Sequence, residues 1–474
     1  WLDAGIPVVR PQVDHNDSIS ALHGACKRFC TQMPEPDRST LTRFRRFVRA
    51  WLHENLKPLE ESEVLTFDEW LDATNFPRWR KEELQAAHDR LETSGLKKKH
   101  FEVSSFVKRE QTREVKYARI INSRSDEFKT YSGPMFKSIE KKVFALDYFI
   151  KKVPVNDRPA FIEEKVSRPG AHILATDYST YEAAFVRGLM RACEMELYRY
   201  MVSCVSGGSS WFANICRALC GTNKCKFKWF VLMVLARRMS GEMSTSLGNG
   251  FTNLMGMLFT CAERNCNVQG VVEGDDGLFS VVRGMDRYGN VVADLGLPTA
   301  EDFAKLGLVI KLEIHQEVST ASFCGLIYDP QDLTNIREPL QVIADFAWID
   351  GDYADAADSK KKALLRCKAL SLAHQYPGCP IISSLAQYAL KMTSSIDVRG
   401  MLDKSRSLDL FKREIILEAL QAYGNGSKVP RRDVPHRTRI LMERTFGVSV
   451  DQQLSLEKFF DAKADLKPFE LAIE

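Results

Sequence analysis

The stretch that most constrains this chain runs from Val268 to Val282 and reads VQGVVEGDDGLFSVV. Two β-rich runs flank Gly274-Asp275-Asp276-Gly277, the pattern of a hairpin whose turn carries an acidic pair. The glycines permit positive φ on both sides, so two carboxylates can project together from the tip. Adjacent carboxylates repel and raise one another's pKa. A divalent cation relieves that repulsion, and hard oxygen ligands point to Mg2+ or Mn2+. A Gly-Asp-Asp triplet alone is a weak signal, because an Asp-Gly turn without chemistry has the same letters.

A second acidic position strengthens it. His172-Ile-Leu-Ala-Thr176 is an apolar strand that ends at Asp177 and runs into Tyr178-Ser-Thr-Tyr181-Glu182. If that strand lies beside the hairpin, Asp177 and Asp275 face each other across one metal site. Two carboxylates holding two divalent ions is the construction used for in-line phosphoryl transfer. Between the two segments, Ser240-Gly241-Glu-Met-Ser-Thr245-Ser-Leu-Gly-Asn249 opens as a small-residue loop and runs into a helix. Thr245 and Asn249 are one turn apart and share a face. Asn249 can donate and accept, which suits reading a ribose 2′-OH. Ser244, Gly248 and Thr252 form a small-residue stripe, expected to let another backbone or a nucleic acid approach closely.

Composition adds bounds. At 474 residues, two to four packed units are expected from roughly 100–200 residues per domain. The hydrophobic share of 45% and charged share of 27% exclude collagen-like and wholly disordered chains. The longest apolar run, Trp229 to Ala236, is far short of the ~20 residues of a membrane span, and no secretory signal opens the chain. The start at Trp1 reads as a piece processed from a longer product. Twelve cysteines without a C-x-x-C pair read as reduced thiols. Zinc ligation by His23, Cys26 and Cys30, or by Cys216, Cys220 and Cys225, would need non-standard spacing.

Net charge is only +4, but Lys97 to Lys152 holds fifteen Lys/Arg against seven Asp/Glu, a local +8. Phe101, Phe106, Tyr117, Ile120, Ile121, Phe128 and Tyr131 interleave those charges, as on an ordered surface that faces phosphates. Short helices are expected over 1–95, strands near Phe106-Val107 and Arg119-Ile121, a long helical region from about Glu182 to Leu235, and helices beyond Pro339. Central strands with segregated helices give an α+β fold. Thr299-Ala-Glu-Asp302 reads as a helix start of capping-box type, with Asp for the usual Glu or Gln. Gly307 closes that helix, and Leu308 to His315 alternates as a half-buried strand with Lys311 on its less apolar face. The plain reading of Lys311 is a solvated lysine paired with Glu313 or Glu273.

Taken in order, Asp177-x4-Glu182, Ser240-Gly-x3-Thr245-x3-Asn249 and Gly274-Asp275-Asp276 resemble the palm motifs of RNA-dependent RNA polymerases of positive-strand RNA viruses, in the tombusvirus-like and flavivirus-like branch. Phe106-Val-Lys108-Arg-Glu110 with Lys116-Tyr-Ala-Arg119-Ile-Ile121 is similar to that group's basic fingers motif. Phe323-Cys324-Gly325 resembles its primer-grip hairpin, and Leu370 to Pro380 its thumb. The likeness spans about residues 5 to 460.

The resemblance implies a right-hand polymerase: N-terminal region and fingers over 1–165, palm over 166–186 and 235–335, a fingers insertion over 187–234 and a helical thumb over 336–474. It implies Asp177 and Asp275 as metal ligands with Asp276 in support, and Mg2+, with Mn2+ able to substitute, as cofactor. Asn249, Thr245, Ser240 and Gly241 would select ribonucleotides with Glu182. Lys108, Lys116 and Arg119 would hold the NTP triphosphate, and Lys311 would protonate the leaving pyrophosphate. Template and product RNA and a membrane-anchored viral replication protein are the implied partners, in host cytoplasm on membrane replication complexes. One departure matters: many relatives carry Asp where Glu182 stands, and the extra methylene moves the carboxylate by about 1.5 Å. Ribose selectivity is expected to survive it.

A reverse transcriptase shares the paired aspartates but usually places a bulky aromatic where Glu182 stands. A catalytically inactive RNA-binding subunit would not need Asp177, Asp275 and Asp276. A glycosidase using Asp177 and Asp275 as acid and base leaves the basic stretch and the Ser240–Asn249 element without a role.

Overall fold

The computed structural model describes residues 13–109, 115–346, 353, 355–404, 410–426 and 428–466. Helices α1 (Ser18–Phe29), α2 (Arg38–Asn55), α3 (Phe67–Asp72) and α4 (Arg78–Ser94) lead the chain. Asp17 and Asp37 cap the first two through side-chain oxygens that accept from backbone N–H groups. Strands β1 (Val103–Val107) and β2 (Ile120–Arg124) follow, then α5 (Asp126–Val143), α6 (Arg158–Val166) and β3 (His172–Tyr178). Four helices come next: α7 (Tyr181–Ala184), α8 (Arg187–Ala192), α9 (Glu194–Met201) and α10 (Gly208–Leu219). The centre is completed by β4 (Thr222–Lys226), β5 (Val231–Leu235), α11 (Thr245–Glu263), β6 (Cys266–Glu273), β7 (Asp276–Arg283), α12 (Ala300–Ala304) and β8 (Ile310–His315). The C-terminal part is helical, as expected beyond Pro339: α13 (Pro339–Phe346), α14 (Asp358–Gln375), α15 (Ile382–Met392), α16 (Arg399–Lys404), α17 (Leu410–Tyr423), α18 (His436–Phe446) and α19 (Val450–Ala462). The molecule is α+β, as its sequence pattern predicts.

The strands form two sheets, in the orders β2-β1-β4-β5 and β6-β7-β3-β8. The second is antiparallel throughout. Its inner strand β3 is covered on both faces, which is why it reads as a continuous apolar run. Leu174 and Tyr178 join Val272, Phe279 and Val281 in the large core that includes α11. Ile173 and Ala175, one residue out of phase, meet Val271 and Leu278 in a second core with Ile162 and Val166 of α6. Helix α11 is buried without a break from Leu247 to Cys261. The C-terminal helices pack around a core of their own that includes Leu370, Leu385, Leu441 and Phe460. No helix among the described residues is long and apolar enough to cross a membrane.

The first sheet corrects one expectation. The helical region begun at Glu182 ends at Leu219, and Thr222 to Leu235 is a β-hairpin. Its signal was a period of two: Asn223 and Cys225 are buried between exposed Thr222, Lys224 and Lys226. The apolar run after Trp229 hid it, because β5 exposes Val231, Met233 and Leu235 rather than burying them. The β4–β5 hairpin joins β1 in parallel, so segments more than a hundred residues apart share one sheet. Helix α1 closes its inner face with Ala21, Ala25 and Phe29.

Buried and exposed strand positions should respond differently to truncation. Leu174→Ala, at a fully buried position, is expected to cost about 3 kcal/mol, whereas Met233→Ala on the exposed face should stay within about 0.5 kcal/mol. Urea unfolding followed by circular dichroism measures both.

Candidate functional site

The acidic tip is built by register. Glu273 pairs with Asp276 across β6 and β7, leaving Gly274 and Asp275 as a two-residue turn. Gly274 takes the left-handed conformation, φ +62°, but Gly277 does not, contrary to expectation. Its lack of a side chain serves approach instead: a Cβ there would lie 2.5 Å from the Phe279 ring and 2.7 Å from Thr176 Oγ1. That absence lets β7 lie against β3, with Thr176 opposite Gly277. Asp177 therefore follows at the strand end beside the tip. On its other side it pairs with Lys311 of β8, which puts those two side chains on one face.

The tip is clamped from behind. Asn253 Nδ2 donates to the carbonyls of Gly274, Asp275 and Asp276 at 3.4, 3.1 and 3.0 Å, while its Oδ1 accepts from Tyr178 OH at 3.2 Å. Sequence reasoning missed this residue. Its signal was available, since Asn253 lies one helical turn beyond Asn249.

Asp275 and Asp276 reach solvent, yet surrounding protein strips water from their carboxylates. That desolvation raises both pKa values, and the charges of Glu182 and Asp177 add to the rise at Asp275 while Arg119 opposes it. At Asp276, desolvation and then the Asp275 charge hold the carboxyl up to about 6. Such a group of mutually repelling oxygen donors suits a hard divalent cation. Among the described residues, no three His, Cys, Asp or Glu side chains are gathered as a ready metal site. The same holds for both candidate zinc groups, and all twelve cysteines are free thiols.

Glu182 lies just beyond a turn in which Thr180 adopts φ +52°. It accepts from Ser240 Oγ at 2.7 Å and pairs with Arg28 of α1 at 3.0 Å. The Ser240 loop is tied to β2, whose Asn122 N–H donates to the Ser240 carbonyl at 2.8 Å. Gly241, at φ +125°, would bring a Cβ within 2.9 Å of the Asn122 carbonyl. Glu242 turns inward to a buried pair with Arg124. Thr245 Oγ1 donates to the Met239 carbonyl at 3.2 Å, folding the loop onto the start of α11.

Asn249 is buried, and its Oδ1 accepts from Arg238 Nε at 2.9 Å. Arg238 is itself fully buried, paired at 2.8 Å with Glu194, which also accepts from Tyr198 OH at 3.0 Å. Sequence reasoning missed both Arg238 and Glu194, because neither burial nor pairing across 44 residues has a local signature. The small-residue stripe is corrected here as well. A Cβ at Gly248 would lie 2.3 Å from Glu194 Oε2 and 2.6 Å from Arg238 Nη2, so the stripe admits this ion pair and not an incoming chain. Thr252 is likewise buried.

Of the basic residues, Arg119 lies near enough for its charge to lower the pKa of Asp275. Lys108 and Arg119 share a base, the Lys108 N–H donating to the Arg119 carbonyl at 2.7 Å. Lys116 is exposed between them on the sequence. Lys311 is exposed and paired with Glu313, which holds its pKa above the usual lysine value, with a smaller contribution from Asp177. The Thr299–Asp302 capping box forms as read, with Asp302 in the unusual place.

No family model matches the chain, and neither does any curated protein.

Desolvation, with charge repulsion added to it, makes the tip pH-dependent. An ordinary aspartyl carboxyl titrates at 3.8, against about 6 for Asp276 in the fold. The folded chain thus holds the extra proton longer, and stability is lost as pH rises from about 4 to 6. In EDTA, Asp276→Asn should melt a few degrees above wild type at pH 7.5, and the gain should vanish near pH 4. Thermal melts at both pH values test it.

Proposed function

We propose that this chain is an RNA-dependent RNA polymerase that joins NTPs to an RNA 3′-OH and releases pyrophosphate. The observation that carries the reading is one strand end, where Asp177 pairs in register with Lys311 and the Asp275-Asp276 tip feels the charges of Asp177, Glu182 and Arg119. Carboxylates poor in water and rich in like charge, faced by an arginine, suit a metal-bound triphosphate better than a neutral substrate.

Asp177, Asp275 and Asp276 would hold Mg2+, or Mn2+ in its place. When bound, these ions supply charge neutralisation and a lowered pKa for the attacking 3′-OH. Arg119 offers a planar fork to the triphosphate, with Lys108 and Lys116 as further countercharges from the same basic segment. Glu182, steadied by Ser240 and Arg28, and Asn249 at the head of α11 read the ribose, with Gly241 and Thr245 shaping the loop between them. Lys311 stays protonated beside Glu313 and stands on the face of Asp177, as a proton donor to departing pyrophosphate requires.

The architecture proposed is the right hand. Fingers over 1–165 are completed by the insertion 187–234, supported by the joint sheet of β1, β2, β4 and β5. The palm comprises 166–186 and 235–335. The thumb, 336–474, is supported by its separate helical core. Template RNA, and a membrane-anchored viral replication protein in host cytoplasm, are the partners this reading brings.

The test is synthesis on a short heteropolymeric RNA with NTPs and Mg2+ or Mn2+. Wild type should give template-length product that is lost in Asp275→Asn and absent with dNTPs. Salt-sensitive RNA binding by both proteins without product would turn the reading to a binding subunit. Lys311→Leu is expected to cut turnover at least tenfold with KM for NTP nearly unchanged, and unaltered turnover would remove Lys311 from the mechanism.

A further inference from the structure

We infer that Arg238, anchored by Glu194, is a positioning residue that fixes which end of the Asn249 amide is offered to the nucleotide, and so sets ribose selectivity. The inference rests on the polymerase reading of the site. A guanidinium has donors only, so it can meet the amide oxygen of Asn249 and never its NH2 group. The Arg238 Nε to Asn249 Oδ1 bond of 2.9 Å therefore locks the amide in one of its two flips. Among the described residues no acceptor engages Asn249 Nδ2, so the group left for a ligand is a donor.

A donor recognises an acceptor, here the oxygen of a ribose 2′-OH. The hydroxyl proton then needs an acceptor of its own, and Glu182 supplies a carboxylate whose four lone-pair sites exceed the two donors seen on it, Ser240 and Arg28. A 2′-deoxy sugar would leave both the Asn249 NH2 and the carboxylate short of a partner. That loss is the physical basis of discrimination.

Arg238 is held from two further sides. Its Nη2 donates to Glu194 Oε2 at 2.8 Å, with both side chains fully buried, and its guanidinium lies 4.1 Å from the centre of the Phe185 ring. Tyr198 OH donates to the same Glu194 oxygen. Gly248, without a side chain, admits the pair against α11. A lysine in place of Arg238 offers a single point of charge and cannot serve Glu194 and Asn249 with the same fixed fork.

The experiment compares wild type, Arg238→Lys, Glu194→Gln, Asn249→Ala and the double variant Arg238→Lys/Asn249→Ala. Two readouts are taken: the NTP/dNTP ratio of kcat/KM in single-nucleotide addition, and the melting-temperature rise produced by ATP against 2′-deoxy-ATP. Arg238→Lys should lower the ratio about tenfold, close to the level of Asn249→Ala, mainly by weakening NTP use and with dNTP use little changed. The ATP-specific part of the melting shift should shrink with it. The double variant should be no less selective than Asn249→Ala alone, and Glu194→Gln should move the ratio the same way by less. Unchanged selectivity in folded Arg238→Lys or Glu194→Gln, or multiplying effects in the double variant, overturns the proposal while leaving the polymerase reading intact. A folded wild type that adds neither nucleotide overturns that reading, and this inference falls with it.

Discussion

Two buried ion pairs bracket the segment between the two sheets, and much of the central arrangement depends on them. Arg238 with Glu194 stands at one end and Arg124 with Glu242 at the other. Arg124 also donates to the carbonyls of Phe101 and Ala218 and to Asn223 Oδ1, so one guanidinium gathers β2, the end of α10, β4 and the Ser240 loop. Leaving one partner of such a pair buried and alone costs several kcal/mol. The loop therefore has few alternatives to the conformation seen, and the residues it presents inherit that rigidity.

The acidic tip shows the opposite balance. Its carboxylates repel, and the fold restrains them through backbone: Asn253 holds three successive carbonyls, and the Gly277–Thr176 approach fixes the hairpin against β3. The backbone is made rigid so that the side chains can remain in electrostatic conflict. Stability is spent at the side chains and recovered in the strands and in α11 behind them.

This contrast explains what could be read from the sequence. The hairpin, the apolar strand before Asp177, the alternating strand carrying Lys311 and the helical C-terminal part each had a local signal, and each is present. The α+β class followed from them. The β4–β5 hairpin was misread because Val231, Met233 and Leu235 face outward, so hydrophobicity pointed to burial that does not occur at those positions. Asn253, Arg238 and Glu194 were invisible for another reason: their roles come from contacts across tens of residues, and a lone buried arginine looks like any surface arginine in a sequence. The small-residue stripe was legible as a close approach, but not which partner approaches. That partner is an ion pair from within the chain.

Gly277 and Gly248 carry a consequence for how this chain can vary. Every single-base change that alters a glycine codon's meaning adds a Cβ or ends translation. At Gly277 that atom would collide with Phe279 and Thr176, and at Gly248 with the charged ends of Glu194 and Arg238. Neither place has a conservative neighbour in mutational space. The gene encoding this protein thus includes, at the acidic tip and behind the Asn249 amide, positions where a one-step change brings steric damage and no gradual path leads away.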